Sequence, residues 1–554
     1  MRRTGIWMSV VVAVVVLAGA ARGQWSPSSG QWGKTETRDL RVMTWNVQDA
    51  LCTTQPKVEG FNSWCALARI VAVLKPDVLV LQECGDNSGN GTGSGVDSVA
   101  NLTTVMNLFV NGGTDPFLGG AVTSYVRLYA PTVSLPYVYV ADQTDGFNRN
   151  VVLSRYPFTD LNGDTRTSVS TFFVSADLYV PSGGNAGIRG FVFSEIDLPD
   201  GQYAGDVVVG TCHLKSGGAS GDLAERLIAS QRTAYYIDYL FNGGGGSTPD
   251  PRARIADAPA ATRVLTAETP VIWGGDFNED ENTNGRNGPA WWMTKAATDG
   301  GTDGTDRDRS DSRFDDSRDP LNANNTTNRY TQGSSKLDYL CWQDSVAALR
   351  RSFVFVASTA AAAAVPAELA TFSSPSGAGI LASDHRPVVA DFVLPVPATP
   401  PGAFSLISPA DGAVGVSLDP VLSWSASSGA TSYTAVVSLS PTLSPAVWTA
   451  SGLGSTSVQV PGGVLSTCGT YYWGVVASGP GGNRASSPAS RVFQTPIPAD
   501  FNGDGFLDFF DFDEFVDCFE GVVCPPGGTA DFDGDGFVDF FDFDAFVIAF
   551  DQGC

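Results

Sequence analysis

The stretch VIWGGDFN, residues 271–278, joins an apolar run to two polar side chains. The run from Val271 to Trp273 is typical of a buried β-strand. Asp276 and Asn278 follow it two residues apart, and because side chains alternate along an extended chain, both point to the same side. The stretch therefore predicts a strand that leads into a polar site.

The same pattern recurs at other apolar runs along the chain. Polar residues end or follow them at Asn46 in RVMTWNV, Glu83 in DVLVLQE, His213 in VVVGTCH, Asp338 in SSKLDYLCW, and Asp384 with His385 in LASDHRPVV. Sheets of α/β proteins hold their ligand sites outside strand ends. We therefore expect these residues to share one site, which would contain both histidines of the chain.

Alternating apolar runs and helical stretches extend from about residue 39 to 395 and predict one large α/β domain. The predicted strands are 41–47, 77–83, 150–155, 191–198, 207–214, 271–277, 337–342 and 388–393, several of them Val/Leu/Ile runs typical of strands covered on both faces. Helical periodicity is clearest over 223–240 and weaker over 66–74. Residues 299–329, rich in Asp, Arg, Asn and Gly, are expected to form a surface loop.

Two further segments follow a Pro-rich linker at 396–402. Residues 403–495 carry little charge and alternate Ser, Thr and Gly with Val, Trp and Tyr, which predicts a small β-sandwich. The pattern resembles a fibronectin type III domain, with Trp424 in the core and Tyr472 or Trp473 on a later strand. The segment 499–554 repeats ADFNGDGFLDFFDFDEFV as ADFDGDGFVDFFDFDAFV, 31 residues later.

Composition excludes some classes of protein. The 554 residues include 33 Lys+Arg and 58 Asp+Glu, a formal net charge of −25. This charge disfavours a basic coat that binds nucleic acid by counterion release, although a nucleic-acid enzyme that binds its own cations remains compatible with it. The tail alone holds 15 of the acidic residues and no Lys or Arg.

The N-terminus has the pattern of an export signal. Arg2 and Arg3 precede an apolar run, residues 6–17, and small residues up to Gly23. The run is shorter than the ~20 residues of a spanning helix, which disfavours the alternative of a membrane anchor. We expect residues 1–23 to be removed, no transmembrane segment afterwards, and a secreted, periplasmic or cell-surface protein in which disulfides persist.

The nine cysteines are an odd number, so at least one is unpaired within the chain. We predict a disulfide between Cys52 and Cys65, and buried thiols at Cys84 and Cys212. The chain has no C-x-x-C pair, which disfavours a zinc ribbon. One bridge is expected among the three tail cysteines, Cys518, Cys524 and Cys554.

Seven pieces in order resemble the endonuclease/exonuclease/phosphatase superfamily, which includes DNase I, exonuclease III, bacterial sphingomyelinases and inositol polyphosphate 5-phosphatases. They are TWNV, LQE, VVLSRYP, TCHL, GGDFN, KLDY and SDHRPV, within residues 39–395. The resemblance implies a four-layer α/β sandwich in which two packed mixed sheets are flanked by helices. The piece TCHL has His213 where the histidine-containing branches of the family also have a histidine and exonuclease III does not. In this respect the chain resembles those branches.

The resemblance also implies roles. Glu83, with Asn46 and Asp384, would hold Mg²⁺ or Mn²⁺, for which oxygen ligands are suited. Asp276 would orient or deprotonate water, or else bind metal, and Asn278 would position water and phosphate. His213 and His385 would contact phosphoryl oxygens, one of them as general acid, and Asp338 would hydrogen-bond His385. Lys215 and Arg149 are weaker candidates for phosphate binding.

The tail repeats resemble calcium loops of the EF-hand or dockerin type. Oxygen donors fall at loop positions 1, 3, 5, 9 and 12, with glycine at position 6. Position 12 is Asp, as in a dockerin, but the Phe-rich segments differ from that pattern. The predicted Ca²⁺ ligands are Asp500, Asn502, Asp504, Asp508 and Asp511 in the first loop, and Asp531, Asp533, Asp535, Asp539 and Asp542 in the second.

Together these features predict a secreted, metal-dependent phosphodiester hydrolase of the nuclease type, with nucleic acid favoured over lipid as substrate. A sphingomyelinase-like or phosphomonoesterase activity is the alternative within the same chemistry. An alternative of another class is a non-catalytic surface-binding protein, whose tail would bind a cohesin-like or cell-surface partner. A serine hydrolase is disfavoured because the chain has no G-x-S-x-G elbow.

Overall fold

A computed structural model describes residues 25–85, 92, 95–163, 165–169, 191–237, 265–293, 330–343, 346–526 and 528–553. The predicted export signal, the predicted loop 299–329 and Cys554 lie outside these residues. The chain divides into two compact units, Met1–Val396 and Pro397–Cys554. Among the residues described, no helix is both long and apolar enough to cross a membrane.

The first unit contains fifteen strands and eight helices within its described part. In chain order the strands are β1 Trp25–Ser26, β2 Gln31–Trp32, β3 Leu40–Asn46, β4 Val78–Cys84, β5 Gly113–Thr114, β6 Ala121–Val122, β7 Tyr137–Val140, β8 Arg149–Ser154, β9 Ser168–Val169, β10 Phe191–Ile196, β11 Val207–His213, β12 Val271–Asp276, β13 Asp338–Trp342, β14 Ala348–Val354 and β15 Val388–Val393. The helices are α1 Ser63–Leu74, α2 Val99–Asn111, α3 Val126–Tyr129, α4 Ser220–Ile237, α5 Glu281–Asn284, α6 Pro289–Met293, α7 Ala357–Ala363 and α8 Ala378–Ala382.

Two mixed sheets form the centre of this unit. One has the order β14-β15-β3-β4-β8-β7 and the other the order β13-β12-β11-β10-β9. Strands β3 and β4 pair in parallel, as do β11 and β12, while the other pairs in these two sheets are antiparallel. Each parallel pair brings two carboxyl ends to one sheet edge, which is where the polar residues of the sequence lie.

The sheets pack face to face around one apolar core, to which Val42 and Val80 of the first sheet and Val209 and Ile272 of the second contribute. The outer face of the first sheet packs against α1 and α2. The outer face of the second packs against residues of α4 and α6, including Ala229 and Met293. The predicted multi-sheet mixed α/β fold is thus confirmed, and strands β3 and β11 are buried along their whole length.

Two glycines explain why β12 ends in GGD. A Cβ at Gly274 would collide with the backbone oxygen of Tyr339 on β13, and a Cβ at Gly275 would collide with backbone atoms of Cys212 on β11. Gly275 also has φ of +125°, a conformation that L side chains rarely adopt. Glycine at both positions therefore lets β12 lie close to its two neighbours just before Asp276.

A buried ion pair joins the central strand β3 to β15. Arg41 Nε and Nη2 donate to the two carboxylate oxygens of Asp391 at 2.6 and 2.8 Å, and both side chains are fully buried. Arg41 Nη1 also donates to the carbonyls of Trp32 and Leu74. Because burial of charge is costly without full pairing, these contacts fix the position of β3.

Two helices differ from the sequence prediction. The helix predicted over 66–74 begins earlier, at Ser63, because the Asn62 side chain caps it by accepting from Cys65 N at 2.7 Å. Helix α2 was not predicted, although Ser98 caps its start and Gly112, with φ of +72°, ends it. The helix predicted over 223–240 corresponds to α4, and residues 238–240 lie outside the described part of the chain.

The predicted disulfide between Cys52 and Cys65 is wrong. Cys65 is a buried thiol whose sulfur lies 3.4 Å from both Tyr129 Oη and Arg69 Nε, and it is not bonded to Cys52. Cys52 is likewise buried and forms no disulfide within the described part of the chain. The buried thiols at Cys84 and Cys212 and one bridge within the tail, Cys518–Cys524, are confirmed.

The second unit begins with two antiparallel sheets. Its strands are β16 Leu406–Ser408, β17 Val421–Trp424, β18 Ser432–Ser438, β19 Ala446–Leu453, β20 Ser457–Gln459, β21 Thr470–Gly479, β22 Gly482–Ala485 and β23 Arg491–Gln494. One sheet has the order β16-β17-β20, and in the other β18 and β21 are central. Trp424 and Trp473 are both buried in the core between them, whereas Tyr472 is only partly buried.

The tail forms two helices that pack on each other, α9 Phe509–Phe519 and α10 Phe540–Gln552. Phe515 and Phe546, which occupy equivalent positions in the two repeats, stack with ring centroids 3.9 Å apart. Each helix starts with a capping box, formed by Asp508 with Asp511 and by Asp539 with Asp542. The aspartates at loop positions 9 and 12 of each repeat therefore cap the N-terminus of the helix.

Candidate active site

The parallel strand pairs place the predicted site residues at one edge of each sheet. On β11 and β12, His213 and Asp276 are register partners, and Asp276 is in turn opposite Asp338 on β13. On the facing sheet Asn46 ends β3, and Glu83 lies near the end of β4 with φ of 55° at an irregularity in the β4–β8 register. Such an irregularity re-aims a side chain, here that of Glu83.

Asn46 connects the two sheets. Its Nδ2 donates to Glu83 Oε1 and to Asp276 Oδ2, both at 3.0 Å, and its Oδ1 accepts from Gln48 N at 3.1 Å. In this arrangement the amide group holds the two carboxylates at a fixed separation. Among the residues described, the Asn46 amide oxygen accepts only this one hydrogen bond, so its second lone pair could still bind a cation as predicted.

Both histidines face the same carboxylate. His213 Nε2 lies 3.5 Å from Glu83 Oε1 and 3.6 Å from Asp276 Oδ2, and His385 Nε2 lies 3.8 Å from that same Asp276 oxygen. The ligand atoms form two overlapping groups within 4.8 Å, Glu83–His213–Asp276 and Asp276–Asp338–His385. Asp276, 1% exposed, is the residue common to both.

Asp338 and His385 form a buried pair. His385 Nδ1 lies 2.7 Å from Asp338 Oδ2, and the residues are 4% and 0% exposed. Burial alone would lower the pKa of His385, but the charge and hydrogen bond of Asp338, aided by Asp276 and Asp384, raise it to about 10. Burial and the nearby Asp338 charge raise the pKa of Asp276 to about 7, the effect of burial being the larger.

The loop that carries His385 is fastened to β3. Ser383 Oγ donates to the Asn46 carbonyl at 2.7 Å and accepts from His385 N, while Trp45 Nε1 donates to the His385 carbonyl at 3.0 Å. These contacts orient the imidazole toward the sheet edge. They also give a physical reason for serine in SDHRPV.

Asn278 and Asp384 lie at the rim of the cluster. Asn278 has φ of 54°, its backbone N–H donates to Asp276 Oδ1 at 2.8 Å, and its side-chain Nδ2 donates to the Leu214 carbonyl. Asp384 is exposed and belongs to neither of the two ligand-atom groups. Its Oδ2 accepts from Gln332 Nε2 at 2.9 Å.

Gln332 is a site residue that the sequence reasoning missed. Its Nε2 lies 2.8 Å from His385 Nε2, and a backbone bridge pairs Gln332 with His385. A neutral ring that accepts there carries its proton on Nδ1, the atom that faces Asp338, whereas in the charged ring Nε2 is a donor and the amide oxygen of Gln332 would accept from it. No motif marks Gln332; the only available signal was its position shortly before KLDY.

The two weaker candidates lie in different settings. Arg149 donates to the carbonyls of Asp97, Ala141 and Asp142, so its guanidinium holds surrounding loops together. Lys215 Nζ lies 3.6 Å from Asp222 and donates to the Ser216 carbonyl at 3.2 Å, with its side chain 34% exposed. Lys215 therefore retains access to solvent next to His213, whereas the donors of Arg149 are used within the fold.

The residues present fit a divalent cation. Glu83 and Asp276 supply carboxylate oxygens and His213 an imidazole nitrogen, all within 4.8 Å of one another, and ligand atoms of these types could hold a metal ion. A second acidic group lies in the tail, where ligand atoms of Asp531, Asp533 and Asp535 also fall within 4.8 Å. Asp531 Oδ1 is buried there without a hydrogen-bond partner.

The first unit is thus a two-sheet α/β unit with carboxylates and two histidines at one sheet edge. A model of the Endonuclease/Exonuclease/phosphatase family matches residues 43–385, more than half of the chain. The chain belongs to this family, whose members are generally hydrolases of phosphoester bonds and typically use divalent metal ions.

Comparison with solved structures also gives matches. An endonuclease/exonuclease/phosphatase from Beutenbergia cavernae is 19% identical and aligns over 82% of this chain and 99% of its own, with a TM-score of 0.36. The human Nocturnin catalytic domain is 14% identical and aligns over 64% of this chain and 95% of its own, with a TM-score of 0.34. Sphingomyelinase C from Streptomyces griseocarneus is 16% identical and aligns over 64% of this chain and 99% of its own, with a TM-score of 0.33. A comparison with curated proteins gives no match.

Proposed function

We propose that this protein is a secreted, divalent-metal-dependent phosphodiester hydrolase of the nuclease type. The observation that carries the proposal is the convergence of Glu83, Asp276 and both histidines at one sheet edge, where Asp276 Oδ2 lies within 3.8 Å of each imidazole. Phosphodiester cleavage needs charge neutralisation at the phosphoryl oxygens, an aligned water and a proton for the leaving oxygen.

In this proposal Glu83 holds the cation, together with Asp276 or with Asn46 and Asp384 after local rearrangement. When bound, the cation neutralises charge on the phosphoryl group. Asp276, with its pKa near 7, orients water or accepts its proton close to neutral pH, and Asn278 positions that water.

The histidines act on the phosphoryl and leaving oxygens. His385, whose pKa near 10 keeps it charged at neutral pH, donates to a phosphoryl oxygen, and Asp338 holds its orientation. His213 donates to the same group from the other side, next to Glu83. One of the two gives its proton to the leaving oxygen.

A sphingomyelinase-like activity is the second candidate, and one observation favours it. A cavity of about 330 Å³ adjoins Asp384 and His385 and is lined by apolar side chains that include Ile70, Phe355 and Ile380. Ile380 is 88% exposed. An apolar surface beside the reacting group suits a lipid leaving group better than a sugar.

Turnover of DNA, RNA, sphingomyelin and bis(p-nitrophenyl) phosphate, each with Mg²⁺ and with chelator, tests these proposals. We expect DNA or RNA cleavage that chelator abolishes, and its loss in His385→Ala without a large change in melting temperature. Arg127→Gln, an exposed arginine of α3, is the matched control. Preference for sphingomyelin that Ile380→Asp removes would establish the second candidate, and no turnover of any substrate would favour a binding protein.

The second unit is proposed to be accessory to this activity. Residues 403–495 would serve as a fibronectin type III-like spacer. Residues 499–554 would bind Ca²⁺ through their two loops, in which Asp500 Oδ2 accepts from Gly505 N and Asp531 Oδ2 from Gly536 N at 2.9 and 3.0 Å. The phenylalanines at positions 10 and 11 of each loop, Phe509, Phe510, Phe540 and Phe541, are all about 70% exposed and offer a surface for a cohesin-like or cell-surface partner.

A further inference from the structure

The first unit has a second cavity, far from the cluster of Glu83 and the histidines. It has a volume of about 670 Å³ and is lined by residues of five separate segments, 33–34 with 37–38, 75–77, 132–134, 155–156 and 201–202. Pockets of roughly 300–1,000 Å³ accommodate small organic ligands. The size therefore fits a molecule as large as a mononucleotide.

The topology places this cavity at the opposite edge of the first sheet. Asp77 directly precedes β4, Glu83 lies near the end of that strand, and six residue steps of about 3.3 Å separate them by about 20 Å. Arg155 directly follows β8, which is antiparallel to β4, so Arg155 and Asp77 lie at the same end. A ligand bound here does not contact the proposed catalytic residues.

The lining of the cavity is cationic, although the chain as a whole has a net charge of −25. Lys34, Arg38, Lys75 and Arg155 line it, and Asp77 is the single acidic residue among the described residues that line it. Asp77 is shared, since its two oxygens lie 2.6 Å from Lys34 Nζ and 3.2 Å from Arg155 Nη1. Lys75 Nζ pairs with Glu368 Oε1 at 2.8 Å. Even with Glu368 included, four cationic side chains face two carboxylates, and a positive excess remains.

Several donors of the cavity are available to a ligand. The exposed Arg38 side chain has no hydrogen-bond or ion-pair partner among the residues described, and the Arg155 side chain is 54% exposed. Three exposed lining residues add hydroxyls, Thr37 on the segment of Arg38 and Thr132 and Ser134 on another segment. Tyr156 adds an aromatic surface, with the Arg155 guanidinium 5.7 Å from its ring centroid.

This combination selects one kind of anion. A planar carboxylate is satisfied by a single arginine, whereas the oxygens of a tetrahedral phosphate accept donors from several directions. Here guanidinium, ammonium and hydroxyl donors converge from separate segments, next to an aromatic ring. We propose that this cavity binds a small molecule that carries a phosphate group, at a site independent of the catalytic centre.

Titration calorimetry of the full chain with AMP, adenosine and inorganic phosphate tests the proposal. We expect AMP and phosphate to bind and adenosine not to bind. Arg38→Gln should raise the Kd for AMP by about tenfold, as expected for loss of one charge-assisted contact, and Arg38→Glu should raise it further. Because Arg38 is exposed and unpaired, both variants should keep the wild-type melting temperature and phosphodiesterase turnover.

Two controls locate the binding. His385→Ala should bind AMP with the wild-type Kd, because the cavity is distant from that histidine. Arg127→Gln, which removes an exposed arginine outside the cavity, should also leave the Kd unchanged. Wild-type affinity in both Arg38 variants, equal weakening in Arg127→Gln, loss of binding in His385→Ala, or no AMP binding at millimolar concentration would each overturn the proposal.

Discussion

Asp338→Asn should change how turnover depends on pH. The substitution keeps the size of the side chain and an oxygen that can accept from His385 Nδ1, but removes the charge that most strongly raises the pKa of His385. The pKa should fall from about 10 toward the ordinary value of 6.5, although Asp276 and Asp384 retain part of the effect. The activity that depends on charged His385 is then present below that lowered pKa and lost as pH rises through it.

The size of the effect follows from the two pKa values. At pH 8 a group with a pKa of 10 is about 99% protonated and one with a pKa of 6.5 about 3%, so the variant should lose up to about 30-fold in kcat/KM. At pH 6 the two protonated fractions differ by a factor of only about 1.3. The variant should therefore approach wild-type activity in acid and fall away from it in base.

The assay is kcat/KM for bis(p-nitrophenyl) phosphate with Mg²⁺ from pH 5.5 to 9. Asp391→Asn is the matched control, since it neutralises a buried carboxylate that pairs with Arg41 and not with His385. The control should lower the melting temperature and keep the wild-type pH profile. A constant ratio of wild-type to Asp338→Asn activity across this range would refute the assigned charge state of His385.

Three further perturbations have expected outcomes. Glu83→Gln should lower kcat about 10²–10³-fold and weaken the dependence on Mg²⁺, measured by metal titration, with little change in melting temperature because Glu83 is partly exposed; retained turnover would contradict its role. Gly275→Ala should destabilise the first unit by about 3 kcal/mol in denaturant unfolding, because its Cβ collides with Cys212, whereas Gly218→Ala, with open space around it, should not. Chelation should lower the helical circular dichroism signal of the tail, and Asp531→Asn should weaken the Ca²⁺ dependence while exposed Asp513→Asn should not; a signal insensitive to chelator would count against the calcium loops.

The strands that carry the site could be predicted because they are buried on both faces. Short continuous apolar runs rich in Val, Leu and Ile are typical of such strands, and polar residues at their ends stand out, as at Asn46 and His213. Strands β7 and β14 were not predicted, because their burial is incomplete and their patterns are weaker. The Cys52–Cys65 pairing failed for another reason: short spacing in sequence does not give the close approach that a disulfide needs.

The hydrogen-bond network was less predictable than the residues that form it. The direction in which the Asn46 amide points depends on Gln48 N, and the geometry of Glu83 depends on a positive φ at a register irregularity. Neither can be read from residue type. Sequence patterns identify which side chains reach the site, whereas local backbone geometry determines which atom of each side chain faces the others.

Gln332 shows how the protonation of one residue can affect another across this network. Its amide nitrogen donates both to Asp384 Oδ2 and toward His385 Nε2, an arrangement that suits the neutral ring. When His385 gains its second proton, Nε2 becomes a donor, and Gln332 must present its oxygen instead. That rotation takes the donor away from Asp384 Oδ2. The protonation state of His385 and the hydrogen bonding of Asp384 are therefore linked through one amide.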